Sequence, residues 1–409
     1  MLRFLKNTAL NGDEIPALFA LRQKGRAALK NLPDKKTEAY KYTPIAKALK
    51  DEMFIKPDHH CAGEDGHCHC HENNLGFEAY EICFCDGVLH EHFHLTDGIE
   101  AQSVLDAISE HSAGSLINRV EPEKFPFAAL NTACLEQGVF LRICKDVKKP
   151  IVLHYKNKEN GFCNIRNVIV LEKDASAEIV EIFEGENEIS MTNVVNEIFV
   201  AKNACFKHYK LQNSSQEAVH VALNYVDVKF GGKYESFTLH KGAKLARNET
   251  HVLLKEKGAS AKVNAAYNIG KDTLVDTTTD TLHLSPDTTS NQIVRGVIDE
   301  RARGVFQGKI HIAPMAVGVE GHQVHKALLL SDEAAVDVKP ELEIFADDVK
   351  CSHGATSGDL DPNEIFYLCS RGIDEKNARR ILTSAFLKTA FEDIQNPDIK
   401  ALFEDFMKK

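Results

Sequence analysis

Leu171-Glu172-Lys173-Asp174-Ala175 returns as Val200-Ala201-Lys202-Asn203-Ala204. It returns in degenerate form as Val228-Lys229-Phe230-Gly231-Gly232, and again as Leu254-Lys255-Glu256-Lys257-Gly258-Ala259. The closing small residues, Ala175, Ala204, Gly232 and Ala259, are separated by 29, 28 and 27 positions. A half-step copy, Leu239-His240-Lys241-Gly242-Ala243, falls between the last two. The intervening sequence is short Val, Ile, Leu, Tyr and Phe runs with almost no helical periodicity, so each unit has room for several short strands and turns. The small residue after Asp, Asn or Gly suits a tight bend that tolerates an unusual backbone conformation. A steady period of this size in an all-β stretch points to a β-helix, a solenoid whose coils stack their inward faces into one core. A sandwich with recurrent turns is the alternative, but sandwiches seldom keep so even a step.

The flanks read differently. Residues 1 to about 48 look helical, with Ile15, Leu18, Phe19 and Leu21 at near-helical spacing before Leu32-Pro33-Asp34 breaks the pattern. Short extended runs follow from Leu75 to Leu89, and Ala101 to His111 and Phe127 to Gln137 read as helices. Near the other end Asp361 can cap a helix, Pro362 suits its first position and Gly372 closes it. A second helix aligns Ala378, Ile381, Leu382, Ala385, Phe386 and Ala390 on one face, and a third follows Pro397. Three such helices can cap a solenoid end or dock a partner. The expected chain is mainly β with helical ends: a mostly helical domain over 1–138, a β-helix core over 139–360 and a helical domain over 361–409.

Charge and length exclude several classes. A net charge of −11 argues against a non-specific nucleic-acid binder, which would show a basic face. No apolar stretch approaches the ~20 residues that span a bilayer. Met1-Leu2-Arg3-Phe4-Leu5-Lys6-Asn7 has no apolar core of a signal peptide, so a cytoplasmic location is expected. The 11 cysteines are scattered through a long chain, which favours free thiols and metal ligands over a disulfide framework.

Two groups of residues suggest metal chemistry. Lys350-Cys351-Ser352-His353-Gly354-Ala355-Thr356 follows the strand-like run Leu342-Glu343-Ile344-Phe345. A thiol and an imidazole two residues apart on an extended segment project to one side. Soft sulfur and borderline nitrogen suit iron, zinc or copper, but two ligands cannot close a site, so others must come from elsewhere. The second group is His59, His60, Cys61, His67, Cys68, His69, Cys70 and His71, bracketed by Gly63 and Gly66. Its spacing matches no ordinary zinc finger, because side chains on adjacent residues cannot all reach one tetrahedral ion. A metal-buffering loop and a solvated insert are both open readings. Asp276 and Asp280 would share a strand face, as the acid/base pair of a polysaccharide-cleaving β-helix would; solvated aspartates on a Thr-rich strand are the alternative. Cys134, Cys144, Cys163 and Cys205 sit among apolar residues and read as core thiols. No Gly-x-Ser-x-Gly elbow, Walker-type loop or dinucleotide fingerprint is present, so the chain shows no means of binding a nucleotide by itself.

Several stretches together resemble the SufB/SufD family of iron–sulfur cluster assembly proteins, most of all its SufD branch. Lys339-Pro340-Glu341-Leu342-Glu343-Ile344 leads through Ala346-Asp347-Asp348-Val349 into the Cys-Ser-His-Gly core, and Phe366-Tyr367-Leu368-Cys369-Ser370-Arg371-Gly372-Ile373 follows. Gly304-Val305-Phe306-Gln307-Gly308-Lys309-Ile310 and Leu130-Asn131-Thr132-Ala133 also fit. So does Glu38-Ala39-Tyr40-Lys41-Tyr42-Thr43-Pro44, with Tyr in place of the usual Trp. The 59–71 run is not part of the family pattern.

The resemblance implies a right-handed parallel β-helix between helical domains and a non-catalytic scaffold subunit. It implies pairing with SufB, or with a second copy, through the β-helix edge. The SufC ATPase would dock on the C-terminal helices, with 362–390 as its contact. Cys351 and His353 would then be one side's ligands for a nascent iron–sulfur cluster near the subunit interface. Strain from ATP-driven dimerisation of the ATPase would open that interface.

Overall fold

The computed structural model describes all residues except 1–14, 30–32, 35, 58–74, 91–94, 96–97, 111–115, 118, 187 and 409. From Gly161 onward each strand crosses to the opposite sheet and pairs in parallel with the strand two before it, giving about eight coils. One sheet has ten strands and the other nine. Antiparallel strands Val88–His90 and Ile99–Ser103 occupy the two edges at the first coil. Ser176 pairs with Cys205, Cys205 with Lys233 and Lys233 with Ser260, so the steps read from the sequence are the coil lengths themselves. The sandwich alternative falls because, from Gly161 onward, successive strands alternate between the two sheets and every pairing is parallel.

The recurrent bend is a stacked corner. Asp174, Asn203, Gly231 and Gly258 take φ of 61°, 56°, 60° and 71°. Asp and Asn visit this left-handed region at less cost than other side chains, which explains why they alternate with Gly here. Each corner amide donates to the next coil: Asp174 to the Lys202 carbonyl at 3.0 Å and Asn203 to that of Phe230 at 2.8 Å.

In-register parallel pairing places like-facing side chains one above another. Inside the nine-stranded sheet this makes a polar ladder. Asn167 donates to Asn196 Oδ1 at 2.9 Å, Asn196 to Asn224 Oδ1 at 2.9 Å and Asn224 to Thr250 Oγ1 at 3.2 Å. Facing it, fully buried Glu181 lies 3.0 Å from His208 Nε2 and 3.2 Å from Lys210 Nζ. Burial alone would raise the Glu181 pKa; Lys210 and His208 outweigh it and hold the carboxyl well below its usual range. Around these groups the lumen is Val, Ile, Leu and Phe.

Both outer faces are covered. On the nine-stranded sheet the segment 38–44 crosses the solenoid: Tyr40 stacks on Arg247 at 4.2 Å, Thr43 bonds Asp276, and Lys339 Nζ reaches Glu38 at 2.8 Å. Arg247 bridges Glu249, at 2.6 Å, and Asp276. Burial pushes Glu249 up, but Arg247 and His251 bring its pKa down to about 2. On the ten-stranded sheet Leu387, Phe391 and Phe403 of the C-terminal segment pack on Tyr209, Phe237 and Leu239. Helices Glu375–Lys388 and Pro397–Lys408 therefore lie along the side of the solenoid and do not cap its end. The end strands Ala335–Ile344 and Lys350–Gly358 contain no fully buried residue.

Removing Arg247 would leave buried Asp276 without a compensating charge and Glu249 with His251 alone beside it. Arg247→Ala should cost about 3–5 kcal/mol in urea unfolding. Arg301→Ala, which breaks an exposed pair with Asp272, should leave the midpoint essentially unchanged. Equal effects would contradict this account of the strap.

Candidate functional site at the open end of the solenoid

Strand Lys350–Gly358 pairs in parallel with strand Glu320–Leu329, setting Cys351 beside Gly321 and His353 beside Gln323. Residues paired in this way share a face. Gly321 and Gln323 are buried in the lumen, so Cys351 and His353 are lumenal residues as well. No coil follows to cover them. Cys351 is therefore half-buried and His353 exposed.

The thiol lies over Gly321, with Sγ 3.4 Å from where a Cβ on that glycine would stand, and packs on Ile310 and its neighbours. Burial pushes the Cys351 pKa up, against a lowering by the Gly321 backbone. Across the lumen, Val336, Val338, Pro340 and Leu342 stand in register with Gly304, Phe306, Gly308 and Ile310, so the opposite wall is apolar. On the outer face, His322 Nδ1 and Ser352 Oγ are 2.8 Å apart and Lys350 pairs with Glu320 at 2.7 Å. These outer contacts fix the last strand while leaving its inner side chains open.

Cys351 and His353 offer two potential donors on one face. Among the described residues no cluster of three or more His, Cys, Asp or Glu side chains is placed to hold a metal ion. A thiolate and an imidazole are donors of the kind that suit iron or an iron–sulfur unit, and two are too few to complete a coordination sphere. The residues His59, His60, Cys61, His67, Cys68, His69, Cys70 and His71 lie outside the described residues.

The carbohydrate-cleaving reading fails on geometry. Asp276 and Asp280 do share the outer face, but Asp276 is wholly buried under the 38–44 strap and bound by Arg247 and Thr43. No substrate can reach it. Asp280 lies 3.5 Å from His251, whose imidazole is raised to about 9: burial lowers it, while Asp280 and Glu249 more than compensate. Of the expected core thiols, Cys163 is buried, Cys134 and Cys205 are half-buried and Cys144 is exposed. Cys144 departs from expectation because it stands just past Val139–Ile143, where the strand gives way to a bend.

A second surface is the helix Pro362–Ser370, capped by the Asp361 carboxylate on the amide of Asn363 at 2.8 Å. It buries no residue completely. Phe366 is 75% exposed and Tyr367 57%, with the Arg371 guanidinium 5.3 Å from the Tyr367 ring. Ile381 on the next helix is also exposed. Exposed aromatic and aliphatic side chains flanked by arginine have the composition of interface hot spots. Among the described residues, no helix is long and apolar enough to cross a membrane.

The comparisons bear on the same region. The family model described as "SUF system FeS cluster assembly, SufBD core domain" matches residues 154–386. The iron–sulfur cluster assembly protein SufD of Escherichia coli is 28% identical over 375 residues, 90% of this chain and 87% of that protein. The chloroplastic protein ABCI7 of Arabidopsis thaliana is 33% identical over 282 residues, covering 63% of this chain and 56% of its own length. A SufBD family iron–sulfur cluster assembly protein of Synechocystis is 29% identical, over 66% of this chain and 62% of its own.

The exposures predict an order of thiol reactivity. In the folded chain at pH 8, iodoacetamide should modify Cys144 several-fold faster than Cys351, because burial suppresses both access and thiolate. Urea should abolish the difference. Mass-spectrometric counting of the adducts reads it, and equal rates in the folded chain would contradict the placement of Cys351.

Proposed function

Because the chain belongs to the SufBD family of iron–sulfur cluster assembly proteins, we propose that it is a non-catalytic scaffold subunit of a cytoplasmic assembly complex. Its partner at the open solenoid end is a SufB-type chain or a second copy of itself. The observation that carries this reading is the uncovered last coil, where Cys351 and His353 face a lumen with no further coil above it. The nascent cluster is cargo, held by Cys351 and His353 on one side and by the partner's groups on the other.

Two unpaired sheet edges, Ala335–Ile344 and Lys350–Gly358, are templates for further strand pairing. A partner solenoid meeting them end to end would satisfy their backbone groups and close the lumen over the thiol and imidazole. Iron and sulfur then enter only when the junction opens. The SufC-type ATPase docks on the 362–390 helices, where Phe366, Tyr367 and Ile381 are exposed. Those helices continue into the segment that packs Leu387 and Phe391 on the solenoid side, so movement of the ATPases is transmitted to the core. The open and closed junctions are two states that nucleotide binding biases.

The test uses the reconstituted complex under anaerobic conditions, with cluster formation followed by visible absorption and by iron and sulfide content. Cys351→Ala and His353→Ala should each lower cluster yield several-fold while leaving subunit assembly intact. Phe366→Glu should instead lose the ATPase from the complex, because burying an unpaired carboxylate at a docking surface is costly. Full cluster yield in both site variants would sink the ligand assignment.

A further inference from the structure

The residue in register with His353 one coil inward is Gln323, and the one before that is Gln292. The two glutamines have the same position in the solenoid and opposite hydrogen-bonding fates. Gln292 is satisfied: Thr279 Oγ1 donates to its Oε1 at 2.6 Å, and its Nε2 donates to Thr281 Oγ1 at 3.1 Å. In the next coil those two hydroxyl positions are taken by Gly308 and Ile310. Gln323 consequently keeps a single bond, from Nε2 to the Glu341 carbonyl at 3.3 Å. Its Oε1 is buried with no partner, in a residue only 1% exposed.

The orientation of this amide is not arbitrary. Turning it over would set its oxygen against the Glu341 carbonyl oxygen, so the free atom is the acceptor. Gly308 makes room for it, since a Cβ there would collide with Gln323 Oε1 and with the Phe306 ring. A buried acceptor without a donor costs free energy unless it is engaged in some state of the protein. His353, in register with Gln323 on the same face and one strand away at the usual spacing of about 4.8 Å, offers an imidazole N–H. His353 makes no hydrogen bond among the described residues. A metal-binding imidazole characteristically donates its other ring N–H to such an acceptor, which fixes tautomer and ring orientation.

We propose that Gln323 is a positioning residue for His353: its Oε1 accepts the N–H of one ring nitrogen and leaves the lone pair of the other free for iron. This rests on the reading of Cys351 and His353 as ligands. It adds that the site extends one coil into the solenoid and that its geometry is set by this chain before the partner arrives. Gln323 does not touch the metal, and no electron or proton leaves it.

The experiment titrates cobalt(II), a spectroscopic stand-in for ferrous iron, into the full chain assembled with its partner subunits. Thiolate charge-transfer and d–d bands report affinity and geometry independently of cluster synthesis. Gln323→Leu should weaken cobalt binding roughly tenfold or more and alter the d–d bands, whereas Gln323→Glu, whose buried, protonated carboxyl keeps an acceptor oxygen and still donates to the Glu341 carbonyl, should restore both. In a His353→Ala background, Gln323→Leu should have no further effect. The melting temperature of Gln323→Leu should change little, since removal of the unpartnered buried carbonyl offsets loss of the Nε2 bond to the Glu341 carbonyl; a large fall would indicate a merely structural role and count against the proposal. Wild-type cobalt binding by Gln323→Leu, with His353→Ala impaired, overturns the role of Gln323 and leaves the ligand reading standing. Unimpaired binding by His353→Ala overturns both.

Discussion

A parallel stack of coils must end, and the site proposed for this chain depends on how that end is left. Within the solenoid each coil satisfies the backbone of its neighbour and covers its inward side chains. Among the described residues, no strand lies beyond the backbone groups and lumenal side chains of the last coil. Proteins commonly blunt such edges with a cap, a charge or a covering helix. Here the C-terminal helices that could have served as a cap are drawn along the side of the ten-stranded sheet by Leu387, Phe391 and Phe403. The end stays open, and Cys351 and His353 are its inward residues.

The solenoid was legible in the sequence because its period is backbone chemistry. Asp174, Asn203, Gly231 and Gly258 mark one corner, and only residues tolerant of positive φ can stack there. Their spacing gives the coil length directly. The Cys-x-His pair was legible as two side chains on one strand face, and two donors are too few to close a metal site. The placement of the last helices was not, because an amphipathic helix announces a buried face without naming the surface that buries it. Nor was the fate of Asp276. A carboxylate on a Thr-rich strand reads as solvated until Arg247, 29 positions earlier and on the neighbouring strand, is seen beneath Tyr40.

Gln323 was hidden for a related reason. Glutamine in a β strand carries no signal alone. Its meaning appears only when Thr279 and Thr281 are aligned with Gly308 and Ile310 across one coil, which needs the register of the fold. Deeper in the lumen Asn167, Asn196 and Asn224 are hydrogen-bonded to one another, whereas Gln323 Oε1, beneath His353, has no partner.

The central claim is that the open end is half of a metal site completed by a partner. Anomalous scattering at the iron edge, from anaerobic crystals of the iron-loaded complex, tests it most directly. The account predicts an iron peak at the solenoid end, with Cys351 Sγ and a His353 ring nitrogen on one side and side chains of the partner on the other. Iron bound elsewhere on the complex, with Cys351 and His353 packed and metal-free at the junction, would contradict it.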